Sequence, residues 1–433
     1  MRRYLIAVLA FTPACSALKD APAEGAGRPV GSGVPVDSGT AVATSSRTGA
    51  AAGVSSAGAA TVPDSVRRPP APLVPTPDPV RGLYVNRWVA LGRKMWELID
   101  VARRTEVNAL VIDVKDDRGL VLYRSSVPLA REIGADTVQP MSYARMRAIL
   151  DTMRAHNIYP IARIVVAKDP LLADHTREWA IRRKGSDAVW LDRKKNPWLD
   201  PTHPEVWKYA ADLAAEAVRM GFSEIQLDYV RFPDEDRVIH EGEYAKMNGR
   251  VRAQVIRDQL AYIRSLTRPL RVPMTIDVFG LTATDTTDMG IGQRWEMFVD
   301  QADVVLPMAY PSHYARGTYG LRNPNASPYA TIDNTLKDAK RRSQGIAGAA
   351  KLVPYYQDFT MGPPRYGAAQ VRAQIKAGYD NGIRGWVLWN PRSRYTLAAL
   401  RPEGAGDGED APQGARRDTT RRTARRTAPA ARP

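Results

Sequence analysis

Glu224-Ile225-Gln226-Leu227-Asp228-Tyr229-Val230-Arg231-Phe232-Pro233 places two apolar residues, Ile225 and Leu227, ahead of a carboxylate, a phenol and a guanidinium. Pro233 has no N–H for a strand ladder, so a strand here ends with those polar side chains at its C-terminal end. In a (β/α)8 barrel that end is the active face. A plain ion pair between Asp228 and Arg231 at a barrel rim is the competing reading of this stretch taken alone.

Working outward, seven more apolar runs accompany 224–231: 82–88, 109–115, 159–166, 273–280, 304–310, 352–359 and 385–390. Helical patterns separate most of them, at 93–104, 142–157, 204–220, 244–267, 328–342 and 368–381. Strands alternating with helices imply a parallel sheet, and eight such units close into an α/β (β/α)8 TIM barrel. A doubly wound open sheet is the competing architecture. The first βα turn has no G-x-G-x-x-G, which argues against a dinucleotide there. The connections 168–201 and 281–303 are long enough to be binding loops.

Buried parallel strands should be apolar, yet polar or aromatic residues stand at the end of all eight runs. The resulting candidates for substrate contact are Tyr84, Asp113, Lys115, Arg163, Tyr229, Arg231, Tyr310, Tyr356, Trp389 and Asn390. Rings stack on the C–H faces of a sugar while Asp, Asn and Arg bond its hydroxyls, so the mixture suits a polyhydroxylated substrate. Trp190, Trp198 and His203 in the third connection have packing and helix-start roles as alternatives.

Glycoside hydrolysis needs one carboxylic acid to protonate the leaving oxygen and one carboxylate as nucleophile or base. Asp228 and Asp277 end neighbouring runs, so Asp228 is the expected nucleophile or stabilising carboxylate and Asp277 the expected acid, with the reverse assignment left open. Asp113 and Asp358 are further acidic candidates, although Asp113 lies beside a possible structural pair of Lys115 and Asp116. Asp113, Asp116 and Asp228 are the side chains that would surround a hard cation. No His/Cys spacing supports zinc, and neither a metal nor a cofactor is expected. A phosphate-handling barrel would want Gly-rich turns after strands seven and eight; Pro363-Pro364 between Gly362 and Gly367 removes the backbone donors.

The ends of the 433-residue chain read differently. Met1-Arg2-Arg3 and the apolar run 4–11 form a leader (1–20) too short to span a bilayer. Cys15, the only cysteine, resembles the acylated position of a bacterial lipoprotein, although Thr12 and Pro13 depart from the usual pattern; export to the periplasm or cell surface is expected, with a lipid anchor or, as the alternative, by simple secretion. Residues 21–78 are mostly Gly, Ala, Ser, Pro and Val without aromatics, a disordered linker by composition. The barrel domain occupies 79–400. The tail 401–433 carries seven Arg against Asp418 from residue 416 on, contributing +6 to a net charge of +16. Such a tail suits anionic envelope polymers, and no motif that reads RNA or DNA occurs, so no nucleic-acid partner is expected.

Arg81-Gly82-Leu83-Tyr84, the segment 108–116 (Asn108 to Asp116), the element 225–233 and Pro307-Met308-Ala309-Tyr310-Pro311-Ser312-His313-Tyr314 together resemble the bacterial putative glycosyl hydrolase domain family, related to the alpha-amylase-like TIM-barrel glycosidases. The resemblance covers nearly all of 81–395 and implies a barrel with a carbohydrate-active site at its C-terminal face. It also implies a nucleophile at Asp228 and the acid on strand five, where this chain has Asp277 and amylases place Glu. A polysaccharide of the envelope or the exterior is the expected substrate, and a barrel that binds glycans without cleaving them is the alternative.

Overall fold

The computed structural model describes residues 73–404. The leader, Cys15, most of the linker and the Arg-rich tail lie outside the described residues. Eight parallel strands form one closed sheet: β1 (Arg81–Val85), β2 (Ala109–Lys115), β3 (Tyr159–Val165), β4 (Glu224–Asp228), β5 (Met274–Phe279), β6 (Val304–Ala309), β7 (Lys351–Leu352 and Tyr355–Gln357) and β8 (Trp386–Trp389). β1 pairs with β2 and β8, and β7 with β6 and β8, so no sheet edge is left open. Pro354, which has no N–H to give the ladder, splits β7 into its two pieces. The closed sheet is the (β/α)8 barrel, and the open-sheet alternative is excluded.

The main helices outside the sheet are α1 (Lys94–Arg104), α2 (Tyr143–Ala155), α3 (Pro204–Met220), α4 (Arg252–Thr267), α5 (Trp295–Phe298), α6 (Pro328–Ser343) and α7 (Ala368–Asp380). Each of the longer ones turns one stripe inward; in α2 it is Met146, Ile149, Leu150 and Met153, the i, i+3, i+4, i+7 spacing of a helix face. Pro204 opens α3, where its fixed φ fits and its missing N–H costs nothing, and Gly221 at φ 122° closes it. The sequence pattern places a helix from 244, but α4 begins at Arg252. Asn248 and Gly249 take left-handed backbone (φ 49° and 73°) that a right-handed helix cannot include.

Alternation along each strand sorts the core into two layers. Leu83, Leu110, Ile112, Ile225, Leu227 and Ile276 point outward against the helices. Val111, Tyr159, Ile161, Leu306, Tyr355 and Val387 fill the barrel. The interior polar groups find one another: Tyr355 Oη donates to Gln226 Oε1 at 2.9 Å, and Thr275 Oγ1 to Glu224 Oε1 at 3.1 Å.

The last residues of the expected linker, 73–78, are not free of the barrel. Val74 is buried and its N–H donates to Ser223 Oγ at 2.8 Å, while Thr76 Oγ1 lies 3.0 Å from Tyr159 Oη. The packed unit therefore starts before 79, at the N-terminal end of the strands. The third connection folds on itself: Trp190 and Trp198 join Ala167, Ile181 and Val238 in a satellite core, the packing role rather than the ligand role. His203 is buried ahead of α3, 3.5 Å from Glu205 and 4.0 Å from Asp200.

Candidate active site

Inward-facing positions at the C-terminal ends of β1 to β5 bring Tyr84, Asp113, Arg163, Asp228 and Asp277 to one level. Asp113 stands opposite Arg163, and Leu227 opposite Ile276, so Asp228 and Asp277 occupy the next rung of adjacent strands. Arg163 donates from Nη1 to Asp113 Oδ1 at 2.5 Å and from Nη2 to Asp228 Oδ2, and its Nε stands 3.6 Å from Asp277 Oδ2. Three carboxyl groups thus share one guanidinium, with no side chain of the four more than 5% exposed. Tyr84 Oη donates to Asp113 Oδ2 at 2.5 Å. The other Asp228 oxygen accepts from the Tyr229 N–H at 2.5 Å, and Tyr229 itself takes left-handed backbone (φ 55°).

One cation cannot balance three ionised carboxylates away from water. Burial, reinforced by the Asp228 charge, pushes Asp277 well above the usual carboxylate range, and neither of its oxygens has a hydrogen-bond partner. Burial raises Asp113 to about 6 against the pull of Arg163. Burial also opposes the charge on Arg163, but Asp113 and Asp228 outweigh it and hold the guanidinium above its ordinary value. Asp277 therefore keeps a proton while Asp228 collects donors. Adjacent carboxyl groups whose surroundings push them apart in this way can divide the roles of acid and base.

A cavity of about 490 Å³ opens above this cluster. Arg163 and Asp228 form its floor, and Tyr229, Phe279, Tyr310, Phe359 and Trp389 its walls. Trp389 stacks on Tyr84 with centroids 3.8 Å apart, which fixes the plane of the ring it shows to the cavity. Tyr310 Oη is buried without a partner, and Asn390 lines the mouth while donating to the Asp358 carbonyl at 2.5 Å. Arg231 also lines the wall; it packs 4.5 Å from the Phe279 ring and pairs with Asp234 at 3.2 Å, so the plain Asp228–Arg231 pair does not form. Asp277 does not reach the cavity surface: it is 1% exposed, behind Arg163.

Three sequence candidates point elsewhere. The register of β2 against β3 slips between Asp113 and Lys115, so Lys115 pairs beside Ile164 rather than following Asp113 inward. Its Nζ meets Asp169 at 2.8 Å and the Val165 carbonyl at 2.6 Å, under α3 and away from the cavity. Tyr356 faces outward against α7, where a Cβ at Gly378 would come 2.2 Å from its hydroxyl; Tyr355 is the inward neighbour. Asp358 accepts from the N–H and Oγ1 of Thr396 at 2.7 and 2.6 Å and clasps the loop after β8.

The cavity also takes Met308, His313, Thr360, Met361, Arg392 and Arg394, none of them among the expected contacts. Burial lowers His313 to about 4, which leaves its ring neutral. Met308 lies in β6 and His313 follows it, both within the quoted 307–314 motif, whereas Thr360, Met361, Arg392 and Arg394 sit in loops with no periodic signal. Among the described residues no three His, Cys, Asp or Glu side chains are grouped to hold a metal. Asp116, one of the three acidic residues weighed for a cation, instead accepts from Arg118 at 3.0 Å.

A family described as a putative glycosyl hydrolase domain matches residues 82–395. The chain belongs to that family. Among solved structures, the glycoside hydrolase domain of PgaB (BpsB) from Bordetella bronchiseptica is similar over 73% of this chain and 95% of that one, with TM-score 0.53 and 11% identity. That likeness is one of fold. A hypothetical protein from Ruminiclostridium thermocellum is 35% identical over 45% of this chain and 97% of its own, with TM-score 0.41. A chitobiase from Flavobacterium johnsoniae gives 12% identity over 76% of this chain and 49% of its own, with TM-score 0.46. Among curated proteins none is significantly similar.

Proposed function

We propose that this glycosyl hydrolase domain cleaves a cell-envelope or extracellular polysaccharide, with Asp228 as nucleophile or stabilising carboxylate and Asp277 as acid. One observation carries the reading: Asp228 opens onto a ring-walled cavity while burial pushes the carboxyl of Asp277, on the same rung of the adjacent strand, well above the usual carboxylate range. Trp389, Tyr310 and Phe359 supply flat apolar faces for sugar C–H surfaces, and the Arg163 cluster holds the reacting carboxylate in place. Asp277 reaches a glycosidic oxygen once substrate entry shifts Arg163; catalytic contacts commonly tighten only in the substrate complex.

The enclosure of Asp277 favours a second reading, a barrel that binds glycans without cleaving them. The basic leader and Cys15 support export and lipid attachment; among the described residues no helix is long and apolar enough to cross a membrane. The deciding experiment measures reducing-end release by the purified chain from a polysaccharide panel, beside Asp228→Asn. Release by the wild type alone supports hydrolysis at Asp228. Glycan binding with no release by either protein establishes the second reading.

A further inference from the structure

Five charged side chains whose partners differ line the cavity: Arg163, Arg231, Arg392, Arg394 and Asp228. Arg163 is matched by Asp113 and Asp228, and Arg231 by Asp234. Arg392 and Arg394 are both exposed, and among the described residues no carboxylate pairs with either guanidinium. Among the described residues, the mouth therefore carries two unmatched positive charges above a floor whose own charges are largely matched.

The loop that holds them is bolted down. Ser393 between them is buried, takes left-handed backbone (φ 47°), and accepts the Asn86 N–H at 3.0 Å. Asn86 Nδ2 donates to the Pro391 carbonyl at 3.0 Å, and Asp358 grips Thr396 on the far side. A non-glycine residue in that backbone region costs energy that the surroundings must offset. Here it turns the residues on either side of Ser393 to one cavity mouth. Arginine presents a planar fork of donors suited to carboxylate, sulfate or phosphate oxygens. Either fork can donate to a neutral hydroxyl, but two guanidinium groups on a fixed loop backbone, with no carboxylate partner among the described residues, bind an anionic oxygen more strongly.

We infer that the site takes an anionic polysaccharide, whose acidic groups are met by Arg392 and Arg394 while an uncharged ring face lies along Trp389. This rests on the glycan reading of the cavity but not on cleavage. The chemistry recognised is an oxyanion on a sugar ring, borne as a carboxylate or as an ester of sulfuric acid.

The test is affinity electrophoresis of the full chain carrying Asp228→Asn, with and without Arg392→Gln plus Arg394→Gln. Gels contain polygalacturonate, its methyl-esterified form, dextran sulfate or dextran. The Arg-rich tail is common to both proteins, so only the difference between them reports on the mouth. Retardation should be stronger on a charged polymer than on its neutral counterpart, and the double Gln change should weaken that retention about fivefold or more, in keeping with two partly exposed charge contacts. Loss on polygalacturonate alone identifies a carboxylate, and loss on dextran sulfate alone a sulfate. Equal retention of the two proteins on both charged polymers overturns the inference. Reducing-end release by the wild-type chain is scored on the same polymers. Arginine-dependent retention without release keeps this inference and removes the hydrolytic reading, whereas release from the neutral polymers only, with equal retention, does the opposite.

Discussion

Arg163 Nε stands 3.6 Å from Asp277 Oδ2 and makes no hydrogen bond to it, although the same guanidinium bonds Asp113 and Asp228. The cation is thus committed to two carboxylates and leaves the third to a proton. The unequal sharing makes Asp228 and Asp277 chemically different although both are buried aspartates on neighbouring strands.

Replacing Asp228 by Asn keeps shape and most hydrogen bonding but removes the charge on the cavity floor. Turnover is expected to fall by about 10²–10⁴-fold, the range for loss of a positioned proton-transfer or reacting group. Steady-state rates on a cleaved glycan check this, with circular dichroism confirming the fold. A variant as fast as the wild type would remove Asp228 from the chemistry.

Arg163→Met leaves Asp113 and Asp228 buried without their shared cation. Breaking a buried pair from one side costs about 3–5 kcal/mol, so the midpoint of urea unfolding should drop markedly at pH 7. The loss should shrink at acid pH, where the orphaned carboxyls take up protons. A midpoint unchanged at both pH values would contradict the hub.

The pH dependence of stability has a definite sign. Asp113 rises from an ordinary 3.8 to about 6 in the folded chain, and burial also pushes Asp277 well above its ordinary value. A raised carboxyl favours folding most when protonated, so its contribution is complete below the unfolded value and is lost as pH climbs through the folded one. Between about pH 4 and 6, Asp113 makes the fold less stable with rising pH, and the raised Asp277 acts in the same direction. Asp277→Asn, which mimics the protonated acid, should flatten the upper part of the curve; the measurement is unfolding free energy against pH for both proteins. If Asp277 is the acid, the same change should also abolish cleavage of glycans with poor leaving groups.

Tyr356→Phe should be silent in catalysis. The hydroxyl is buried on the helix side of β7 without a partner, so removing it relieves an unsatisfied polar group. Rates within about twofold of wild type and stability equal or slightly higher are expected, since surroundings that never bonded the oxygen lose nothing. A large rise in KM would return Tyr356 to the substrate.

The barrel was legible because short apolar runs, the strand-ending Pro233 and helix-length gaps are local signals. The carboxylate cluster was legible for the same reason, since strand ends converge in a closed sheet whatever the loops do. Lys115 escaped because one slipped rung between Asp113 and Lys115 reverses a side chain without altering the apolar pattern. Tyr355 and Tyr356 look alike in the chain; only the register across the break at Pro354 decides which enters the barrel. The pairing of Arg163 with three aspartates joins residues 50 to 114 positions apart, and no spacing rule announces it. Arg392 and Arg394 sit in a loop with no periodicity, placed by Ser393 and Asp358.

Val74 meets Ser223, and Pro402 pairs with Thr105, both beneath the strands' starting ends. The two exits of the described polypeptide therefore share one pole and the crevice takes the other. The chain enters and leaves the described part of the fold at the rear, and a long polymer can lie across the front without crossing either point.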